Sequence, residues 1–486
     1  MAVMQPSAAP ERTTEKLSQS MKTKPQHDDT ICALATAPGT AAIALIRLSG
    51  ILSHAIIRQI FSPAQKNLNL EKPMYSRQYF GTITNEQGIL DEVLVSLFHA
   101  PHSYTGEDAA EISCHGSVYI QQQIIELLLA CGARLAEPGE FTMRAYLNGK
   151  FDLAQAEAVA DLIASQSKTA HSLAINQMRG GFSARISQLR QQLIDFASLI
   201  ELELDFSEED VEFADREKFF ALLTDLRDEI NRLIESFKAG NVMKNGIPVA
   251  IIGKPNVGKS TLLNALLNEE KAIVSEIPGT TRDTIEDTIV IGGYTFRFID
   301  TAGLRDSDDV IENMGIERTY EKIRQASVIL YVCDLSNCSG QSAEEMLGEF
   351  RSFVGDHTKH FILVGNKIDQ LNEIPPHFSE MVEMRTIFVS AKRRENIHLL
   401  AESLLDAVKD LDAQSNTIVS NTRHLQALQL ALQALDSVET GFRSDLPTDL
   451  ATIDIRNALY HLGSITGEIS SDEILGNIFG KFCIGK

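Results

Sequence analysis

Hydrophobic and polar positions follow three patterns along the chain. Between residues 30 and 140, short apolar or alternating runs such as "TICALAT", "AAIALIRLSG", "RQYFGTIT" and "LDEVLVSLFHA" are bounded by Gly, Pro or Asn, which is typical of β-strands. Among them, "QQQIIELLLACGA" predicts a helix that ends at Gly132. Together these runs predict an α+β domain.

Helical periodicity dominates the next part of the chain. Asp152 is the predicted N-cap of a helix that begins with "LAQAEAVADLIASQ". In the helix after it, apolar residues recur at spacings of four and three: Phe182, Ile186, Leu189, Leu193, Phe196 and Ile200. Such a stripe predicts packing in a core and carries no catalytic meaning.

Strands and helices then alternate, and strands such as "PVAIIG" and "SVILYVCD" are continuously apolar, as expected when helices cover both faces of a sheet. From about residue 410 the helical period returns. Its apolar stripes are Leu425, Leu428, Leu432 and Leu435, and then Ile474, Ile478, Phe479 and Phe482. An α/β domain therefore interrupts a helical region whose two pieces are predicted to form one discontinuous domain.

The predicted fold class is multidomain, α/β plus α. Residues 1–29 are predicted to be a disordered tail, and residues 30–148 an N-terminal α+β domain. Residues 149–245 and 410–486 are the two predicted parts of the helical domain, and residues 246–409 the inserted α/β domain.

Charge and cysteine content narrow the class of protein. The formal net charge of −22 opposes unaided binding to phosphate backbones, so any nucleic acid would need a partner or a local patch. The six cysteines form no CxxC pair, and no apolar run reaches the roughly 20 residues of a membrane span. The first 29 residues lack the apolar core of a secretory signal. These features predict a cytoplasmic protein with free thiols.

A complete phosphate-binding motif lies at the start of the α/β domain. The strand "VAII" runs into "GKPNVGKS", which matches GxxxxGK[ST] and is followed by a helix, so the domain is predicted to be a Ras-like P-loop domain. Gly253 and Gly258 let backbone N–H groups turn toward phosphate. Lys259 is predicted to reach the β- and γ-phosphates, and Ser260 to ligate Mg²⁺.

Three further motifs follow in the order found in GTPases: "DTAG", "NKID" and "SAK". Asp300 is predicted to hold the Mg²⁺ shell, and the Gly303 N–H to sense the γ-phosphate. The Asp369 carboxylate can accept two hydrogen bonds from the edge of guanine, whereas adenine offers no such pair of donors, so the motif favours GTP over ATP. Backbone donors of "SAK" are predicted to bind guanine O6.

The residues predicted to contact GTP are Asn256, Val257, Gly258, Lys259, Ser260, Thr261, Ser275, Glu276, Ile277, Pro278, Gly279, Thr280, Thr281, Asp300, Thr301, Ala302, Gly303, Asn366, Lys367, Asp369, Ser390, Ala391 and Lys392. In the loop "SEIPGTTRD", Thr281 is the second predicted Mg²⁺ ligand, and the alternative is a plain loop hydroxyl.

The catalytic groups are less regular. Leu304 occupies the position where Ras-like enzymes use a Gln to orient the attacking water, and leucine cannot do so. Asn256 predicts a K⁺ ion beside the phosphates, which would supply positive charge in place of an arginine finger. The alternative is an Asn that only stiffens the loop.

The two ends of the chain carry more specific segments: "DTICALATAPGTAAIALIRLSG", "SYTGEDAAEISCHG", "PGEFTMRAYLNGKFDLAQAEAVADLI" and the terminal "CIGK". Over residues 28–486 the chain resembles the MnmE/TrmE family of tRNA modification GTPases. The resemblance implies an N-terminal domain that binds folate and forms a homodimer. It also implies an FAD-dependent partner of the MnmG/GidA type, in a heterotetramer or larger complex that makes most of the contact with tRNA. The implied reaction is 5-carboxymethylaminomethyl modification of the wobble uridine with a tetrahydrofolate one-carbon unit.

By the same resemblance, contacts with a 5-formyl- or 5,10-methylene-tetrahydrofolate fall on Arg47, Glu111, Lys150 and Lys486. A carboxylate suits the N–H pair of a pterin, and cations suit the glutamate tail of a folate. Cys483, near the folate contact at the terminus, is a candidate for catalysis, with packing as the alternative.

In the GTPase domain, the resemblance assigns the K⁺ ligands to Asn256, Ser275, Ile277 and Thr280, and K⁺ would stimulate dimerisation of the G domains. The water-positioning role falls on Glu312, which would otherwise be interpreted as an exposed acid at a helix start.

Two other classes of function remain open from the sequence. One is a binding switch that docks on RNA, such as a ribosome-assembly GTPase, but the chain has no basic tail and no GXXG loop outside the P-loop region. The other is a folate enzyme whose G domain is regulatory and which acts without nucleic acid.

Overall fold

A computed structural model describes residues 29–65, 78–205, 216–269, 287–299, 324–336, 348, 359–371, 386–408, 418–444 and 448–485. The chain divides into two compact units. The first runs to Asp152 and takes in Ser470–Lys486, and the second is Leu153–Ile469. None of the helices in the described ranges combines the length and the hydropathy that a membrane span needs.

In chain order, the strands are β1 Ile31–Leu34, β2 Ile43–Ser49, β3 Phe61–Pro63, β4 Gln78–Asn85, β5 Gly88–Phe98, β6 Ala109–His115, β7 Arg134–Leu135, β8 Ile247–Ile252, β9 Asp287–Ile291, β10 Tyr294–Phe298, β11 Val328–Asp334, β12 His360–Asn366 and β13 Ile387–Phe388. The helices are α1 Ser53–Ile60, α2 Val118–Ala130, α3 Glu140–Leu147, α4 Leu153–Ala164, α5 Lys168–Met178, α6 Gly181–Asp205, α7 Arg216–Asn245, α8 Lys259–Glu269, α9 Ile397–Asp406, α10 Thr422–Arg443, α11 Thr448–Thr466 and α12 Asp472–Phe479.

The first unit is built on a mainly antiparallel sheet. Among the strands that the structure describes, the order is β3-β4-β5-β6-β2-β1-β7, and the short β7 is the one that pairs in parallel, with β1. Helices α1 and α2 pack on one face of this sheet, and their apolar residues share a core with alternate residues of the strands. On β2, Ile46 and Leu48 are buried in that core. Because side chains alternate along a strand, Arg47 between them lies on the opposite face.

A segment from the far end of the chain completes the first unit. The sequence pattern assigns 470–485 to the second helical part, within 410–486, whereas the structure groups it with the N-terminal domain. Phe479 of α12 is 3% exposed and stacks obliquely on Tyr146 of α3. The Cys483 carbonyl accepts a hydrogen bond from the Gly139 N–H at 3.5 Å. The helical period identifies the apolar residues of α12 but cannot identify the core that they enter.

The helical part of the second unit has one core built from both pieces of sequence. The stripe of α6 from Phe182 to Ile200 lies in this core, together with apolar residues of α7, α10 and α11. From α10 the core receives Leu428 and Leu435, which are fully buried, while Leu432 packs against it from the edge.

A buried polar cluster joins three of these helices. Glu157 of α4 accepts hydrogen bonds from Arg423 of α10 at 2.8 and 3.2 Å, and its other partner is His424 Nε2 at 2.7 Å. The Arg423 guanidinium also donates to the carbonyls of Ser464 and Ile465 on α11. Burial alone would raise the pKa of Glu157, but His424 and Arg423 lower it to about 2.

Among its described residues, the inserted α/β part has the strand order β13-β12-β11-β8-β10-β9, in which β9 pairs antiparallel with β10 and the other neighbours pair in parallel. Alternate residues of β8 enter two different apolar clusters: Val249 and Ile251 lie in one, and Ala250 and Ile252 in the other. Both faces of the sheet are therefore buried, which explains why its strands are continuously apolar. The parallel strands β8, β11 and β12 end at the same edge of the sheet, where a ligand is expected in an open α/β fold.

Candidate nucleotide-binding site

The P-loop joins the end of β8 to the first turn of α8. Its two outer glycines have backbone conformations that other residues rarely adopt, with φ of +145° at Gly253 and +94° at Gly258. A Cβ atom at Gly253 would lie 2.2 Å from the Val332 carbonyl oxygen, and one at Gly258 would lie 2.4 Å from Asn366 Nδ2. Both conformation and space therefore require glycine at these two positions.

Lys259 is held across the loop. Its ammonium group donates to the carbonyls of Gly253 at 3.0 Å and Lys254 at 2.8 Å. The residue begins α8, so the positive end of the helix dipole lies at the same loop as the ammonium. This is the arrangement that binds phosphate in P-loop proteins.

The side chain of Asn366 connects three loops at the end of β12. Its Nδ2 donates to the Val257 carbonyl in the P-loop at 2.8 Å. Its Oδ1 accepts from the N–H groups of Lys367 at 2.8 Å and Ala391 at 3.0 Å. The residue is 2% exposed, so these hydrogen bonds are shielded from water. The phosphate loop and the two predicted guanine loops are thereby fixed against one another.

Lys367 provides a second connection, from an unusual left-handed backbone conformation with φ of +68°. Its ammonium donates to the Asn256 carbonyl at 2.9 Å and pairs with the Asp334 carboxylate at 2.6 Å. Burial by itself would raise the pKa of Asp334, but hydrogen bonds from Lys367 and Ser336 hold that pKa below its usual range. Sequence reasoning missed Asp334, although an acid that ends a continuously apolar strand is a usable signal.

The predicted guanine-binding carboxylate is oriented by a neighbour. Ser390, which is fully buried, donates its hydroxyl to Asp369 Oδ1 at 2.7 Å. The Ser390 N–H donates to the Glu395 carbonyl, and the Ala391 N–H to Asn366. Both amides thus bond within the protein, and their assignment to guanine O6, like that of Lys392, stays a prediction.

Several predicted site residues lie outside the described ranges: Ser275, Glu276, Ile277, Pro278, Gly279, Thr280, Thr281, Asp300, Thr301, Ala302, Gly303, Glu312 and Lys486. Of the predicted Mg²⁺ and K⁺ ligands, Ser260 lies in the first turn of α8, and Asn256 lies in the P-loop with φ of +61°.

A separate cavity of about 120 Å³ lies in the first unit and is lined by Arg47, Ser49, Phe98, Tyr104, Thr105, Ala109 and Glu111. Arg47 and Glu111 are register partners on β2 and β6, and the guanidinium donates to Glu111 Oε1 at 3.0 and 2.8 Å. Its third nitrogen, Nη1, is buried and has no hydrogen-bond partner among the described residues. A buried donor of this kind suits a ligand that brings an acceptor.

Lys150, another predicted folate residue, is not in the lining of this cavity. Lys150 instead donates to the Pro101 carbonyl at 2.8 Å, on the loop that carries Tyr104 and Thr105. The Cys483 thiol is exposed. The structure therefore brings Arg47 and Glu111 together, whereas the Lys150 ammonium binds the Pro101 carbonyl of the neighbouring loop.

Family models match both non-GTPase parts of the chain. The model described as the MnmE helical domain matches residues 153–483, which is more than half of the chain, and the model described as the GTP-binding protein TrmE N-terminus matches residues 30–150. The chain belongs to the MnmE/TrmE family. It is a GTP hydrolase, as the P-loop, "NKID" and "SAK" motifs predict.

Relatives of this family align with nearly the whole chain. A protein of Flavobacterium johnsoniae named tRNA modification GTPase MnmE is 53% identical over 466 residues, which are 95% of this chain and 100% of the relative. One of the same name from Bacteroides fragilis is 52% identical over 468 residues, with the same coverage.

Solved structures are similar over a smaller part. Aquifex aeolicus Era bound to GDP.AlF4- is 24% identical and covers 38% of this chain and 66% of its own, with a TM-score of 0.25. The G domain of T. maritima FeoB is 26% identical and covers 34% of this chain and 99% of its own, also with a TM-score of 0.25.

Proposed function

We propose that the chain supplies the GTPase step of a tRNA-modifying complex that installs a 5-carboxymethylaminomethyl group on the wobble uridine. The observation that carries this proposal is the alignment over 95% of the chain with relatives named tRNA modification GTPase MnmE. The formal net charge of −22 favours a complex in which an FAD-dependent partner of the MnmG/GidA type makes most of the contact with tRNA.

GTP would be bound by the loops that Asn366 connects. Asp369, oriented by Ser390, would accept the two hydrogen bonds of the guanine edge. Lys259 and the N–H groups at the start of α8 would hold the phosphates, and Ser260 with Thr281 would ligate Mg²⁺. K⁺ at Asn256, Ser275, Ile277 and Thr280 would supply positive charge, and Glu312 would position water.

A tetrahydrofolate derivative would occupy the Arg47 cavity. The partnerless Nη1 of Arg47 offers a buried donor, and the guanidinium lies 5.1 Å from the centre of the Tyr104 ring, which provides an aromatic wall. The volume of about 120 Å³ is below the roughly 300–1,000 Å³ of pockets that enclose drug-sized ligands, so only part of the folate would be enclosed. Lys150, Lys486 and the terminal segment would contact the rest.

The folate site can be tested by direct binding. Arg47→Met removes the buried donor and keeps most of the apolar volume, so the affinity for 5-formyl-tetrahydrofolate should fall by at least tenfold in calorimetry. Arg58→Met, at an exposed position of α1, is the matched control and should bind like wild type. Equal affinities for the two variants would remove Arg47 from the site.

A homodimer is proposed through the N-terminal domain. Phe80 on β4 and Leu94 on β5 are cross-strand neighbours, yet they are 52% and 39% exposed, so an apolar patch lies on the outer face of the sheet. Leu94→Asp should convert the dimer to a monomer in sedimentation. Ile453→Asp, an equally drastic change at an exposed position of α11, should leave the dimer intact.

The decisive experiment for the whole proposal is wobble nucleoside analysis of tRNA from cells that lack this protein. The 5-carboxymethylaminomethyl nucleosides should disappear and should return with the wild-type gene and with Arg58→Met. Return with Arg47→Met would contradict the folate part alone. Unchanged nucleosides in the deletion strain would contradict the assignment of the reaction.

A further inference from the structure

Three side chains that can ligate a metal converge in the first unit, apart from the residues that line the Arg47 cavity. His54 belongs to α1, His99 follows the end of β5, and Asp108 precedes β6. One ligand atom from each lies within 4.8 Å of the other two. His99 lies 45 positions after His54, and Asp108 lies 9 positions after His99, so their spacing matches no metal-binding sequence motif.

The distances between the histidine nitrogens and the Asp108 oxygens are longer than hydrogen bonds and are closer to the separation of two ligands on one metal ion. His54 Nδ1 lies 3.7 Å from Asp108 Oδ2, and His99 Nδ1 lies 3.7 Å from Asp108 Oδ1. Hydrogen bonds between such atoms would be about 2.7–3.2 Å long. Ligands at about 2.0–2.2 Å from a tetrahedral ion lie roughly 3.3–3.6 Å from one another, so side-chain movements of up to about 1 Å would place all three on one ion.

The surroundings fix the orientation of these groups. His54 Nε2 lies 3.0 Å from the Phe98 carbonyl oxygen, and the tautomer with its proton on Nε2 would leave Nδ1 as the nitrogen available to a metal. Asp108 Oδ1 accepts a hydrogen bond from the Ala100 N–H at 2.9 Å. Backbone partners of this kind are the usual outer shell of histidine and carboxylate ligands.

We propose that His54, His99 and Asp108 bind a zinc ion, with a water molecule at the fourth position. Two imidazole nitrogens and one carboxylate form a common ligand set for Zn²⁺, whereas Ca²⁺ and Mg²⁺ select oxygen ligands. This assignment is independent of the proposed function, since it concerns different side chains and a different ligand.

The zinc would connect helix α1 to the two ends of the loop 99–108. This loop carries Tyr104 and Thr105, which line the Arg47 cavity, and Pro101, which accepts the hydrogen bond of Lys150. Cross-linking the ends of the loop to α1 restricts the conformations of the cavity wall. The ion therefore has a structural role, and none of the reacting groups proposed above contacts it.

The test uses the full-length protein after removal of metals by a chelator. Zn²⁺ is titrated in competition with a chromophoric chelator, and Co²⁺ is added separately to record its ligand-field absorption. Wild type should bind one equivalent of Zn²⁺, and its Co²⁺ spectrum should be that of a tetrahedral site. His99→Asn and Asp108→Asn should each weaken binding by more than the 10- to 100-fold that loss of an outer-shell partner costs.

The control variant is His115→Asn. His115 Nδ1 lies 2.7 Å from Asp91 Oδ1 in the same unit, but among the described residues no third His, Cys, Asp or Glu joins this pair to form a group of three possible ligands. His115→Asn should bind zinc like wild type. Asn has nearly the same volume as Asp, so Asp108→Asn is expected to fold. This variant is used for the test if circular dichroism shows that His99→Asn is unfolded. No stoichiometric zinc in wild type, or equal affinity in wild type and Asp108→Asn, would overturn the proposal.

Discussion

At the scale of single residues, the loops of the candidate nucleotide site are held in place by side chains that hydrogen-bond to other parts of the protein. Both ends of the Asn366 side-chain amide form hydrogen bonds, which connect three loops. The Ser390 hydroxyl donates a hydrogen bond that orients the Asp369 carboxylate. The motif "NKID" predicts that Asn366 belongs to the site. Its three partners could not be predicted, because they depend on how the ends of β8, β12 and β13 meet in space.

Asp369→Asn should change the preferred base. Guanine offers a donor pair to the carboxylate, whereas xanthine presents an acceptor where guanine has its 2-amino group, so the amide suits xanthine better. We expect weaker binding of GTP and stronger binding of xanthosine triphosphate, measured with fluorescent nucleotides. Ser390→Ala, which only frees the side chain of Asp369, should weaken GTP binding without improving xanthosine triphosphate. Unchanged GTP affinity in Asp369→Asn would contradict the assignment.

Glu157 should make stability depend on pH in the acid range. Its pKa is about 2 in the folded protein and near its ordinary value of 4.5 in the unfolded chain, so the stabilisation is complete above pH 4.5 and is lost as pH falls toward 2. The difference corresponds to about 3 kcal/mol at 1.36 kcal/mol per pKa unit. Glu157→Gln should therefore flatten the fall in the free energy of unfolding between pH 5 and pH 3, measured by urea denaturation.

The control for this effect is Glu468→Gln. Glu468 pairs with Arg190 but is 41% exposed, and exposed pairs contribute little. Its pH dependence should match wild type. An unchanged slope in Glu157→Gln would show that other carboxylates cause the acid loss of stability.

At the scale of elements, periodic patterns locate helices and strands well, since their causes are local. The stripe of α6 is buried as its spacing predicts, and the apolar run "VILYVCD" is a strand covered on both faces. The unit against which α12 packs is not determined by local sequence. Its amphipathic pattern fits either unit, and the structure groups it with the first, where Phe479 packs closely against Gly139 and Tyr146.

Gly139→Ala should loosen α12 from the first unit. Gly139 has φ of +70°, and a Cβ atom there would lie 2.5 Å from the Phe479 carbonyl oxygen. Gly149 has the same φ but no atom within 4 Å of its virtual Cβ, so Gly149→Ala measures the backbone strain alone, about 1–2 kcal/mol. We expect faster hydrogen exchange in residues 472–479 only for Gly139→Ala. Equal exchange in both variants would mean that the contact does not hold the helix.

At the scale of the whole molecule, the sequence could indicate the order of the parts because each part has its own hydrophobic pattern. It could not indicate the His54, His99 and Asp108 cluster, since the three residues occupy unrelated elements. Nor could it pair Arg47 with Glu111, because the register of β2 against β6 depends on tertiary packing.

GTP hydrolysis should depend on the monovalent cation. With Leu304 unable to orient water, K⁺ and Glu312 are expected to replace a Gln and an arginine finger. Replacing Na⁺ by K⁺ at equal ionic strength should raise the rate strongly, and Rb⁺ should partly substitute. Glu312→Ala should lower kcat by about 10²–10⁴-fold with little change in GTP affinity. Equal rates in Na⁺ and K⁺ would remove the cation from the mechanism.

The position of α12 also bears on how the protein is made. Residues 470–485 leave the ribosome more than 300 residues after Asp152, which at about 5–20 residues per second is a delay of roughly 15 to 60 s. During that interval the surface of the nascent N-terminal domain that Phe479 covers, around Tyr146, is exposed to water. The Gly139 N–H also lacks its partner, the Cys483 carbonyl. A stalled or prematurely ended translation product would keep this apolar surface exposed. Such a product would be a substrate for chaperones and proteases.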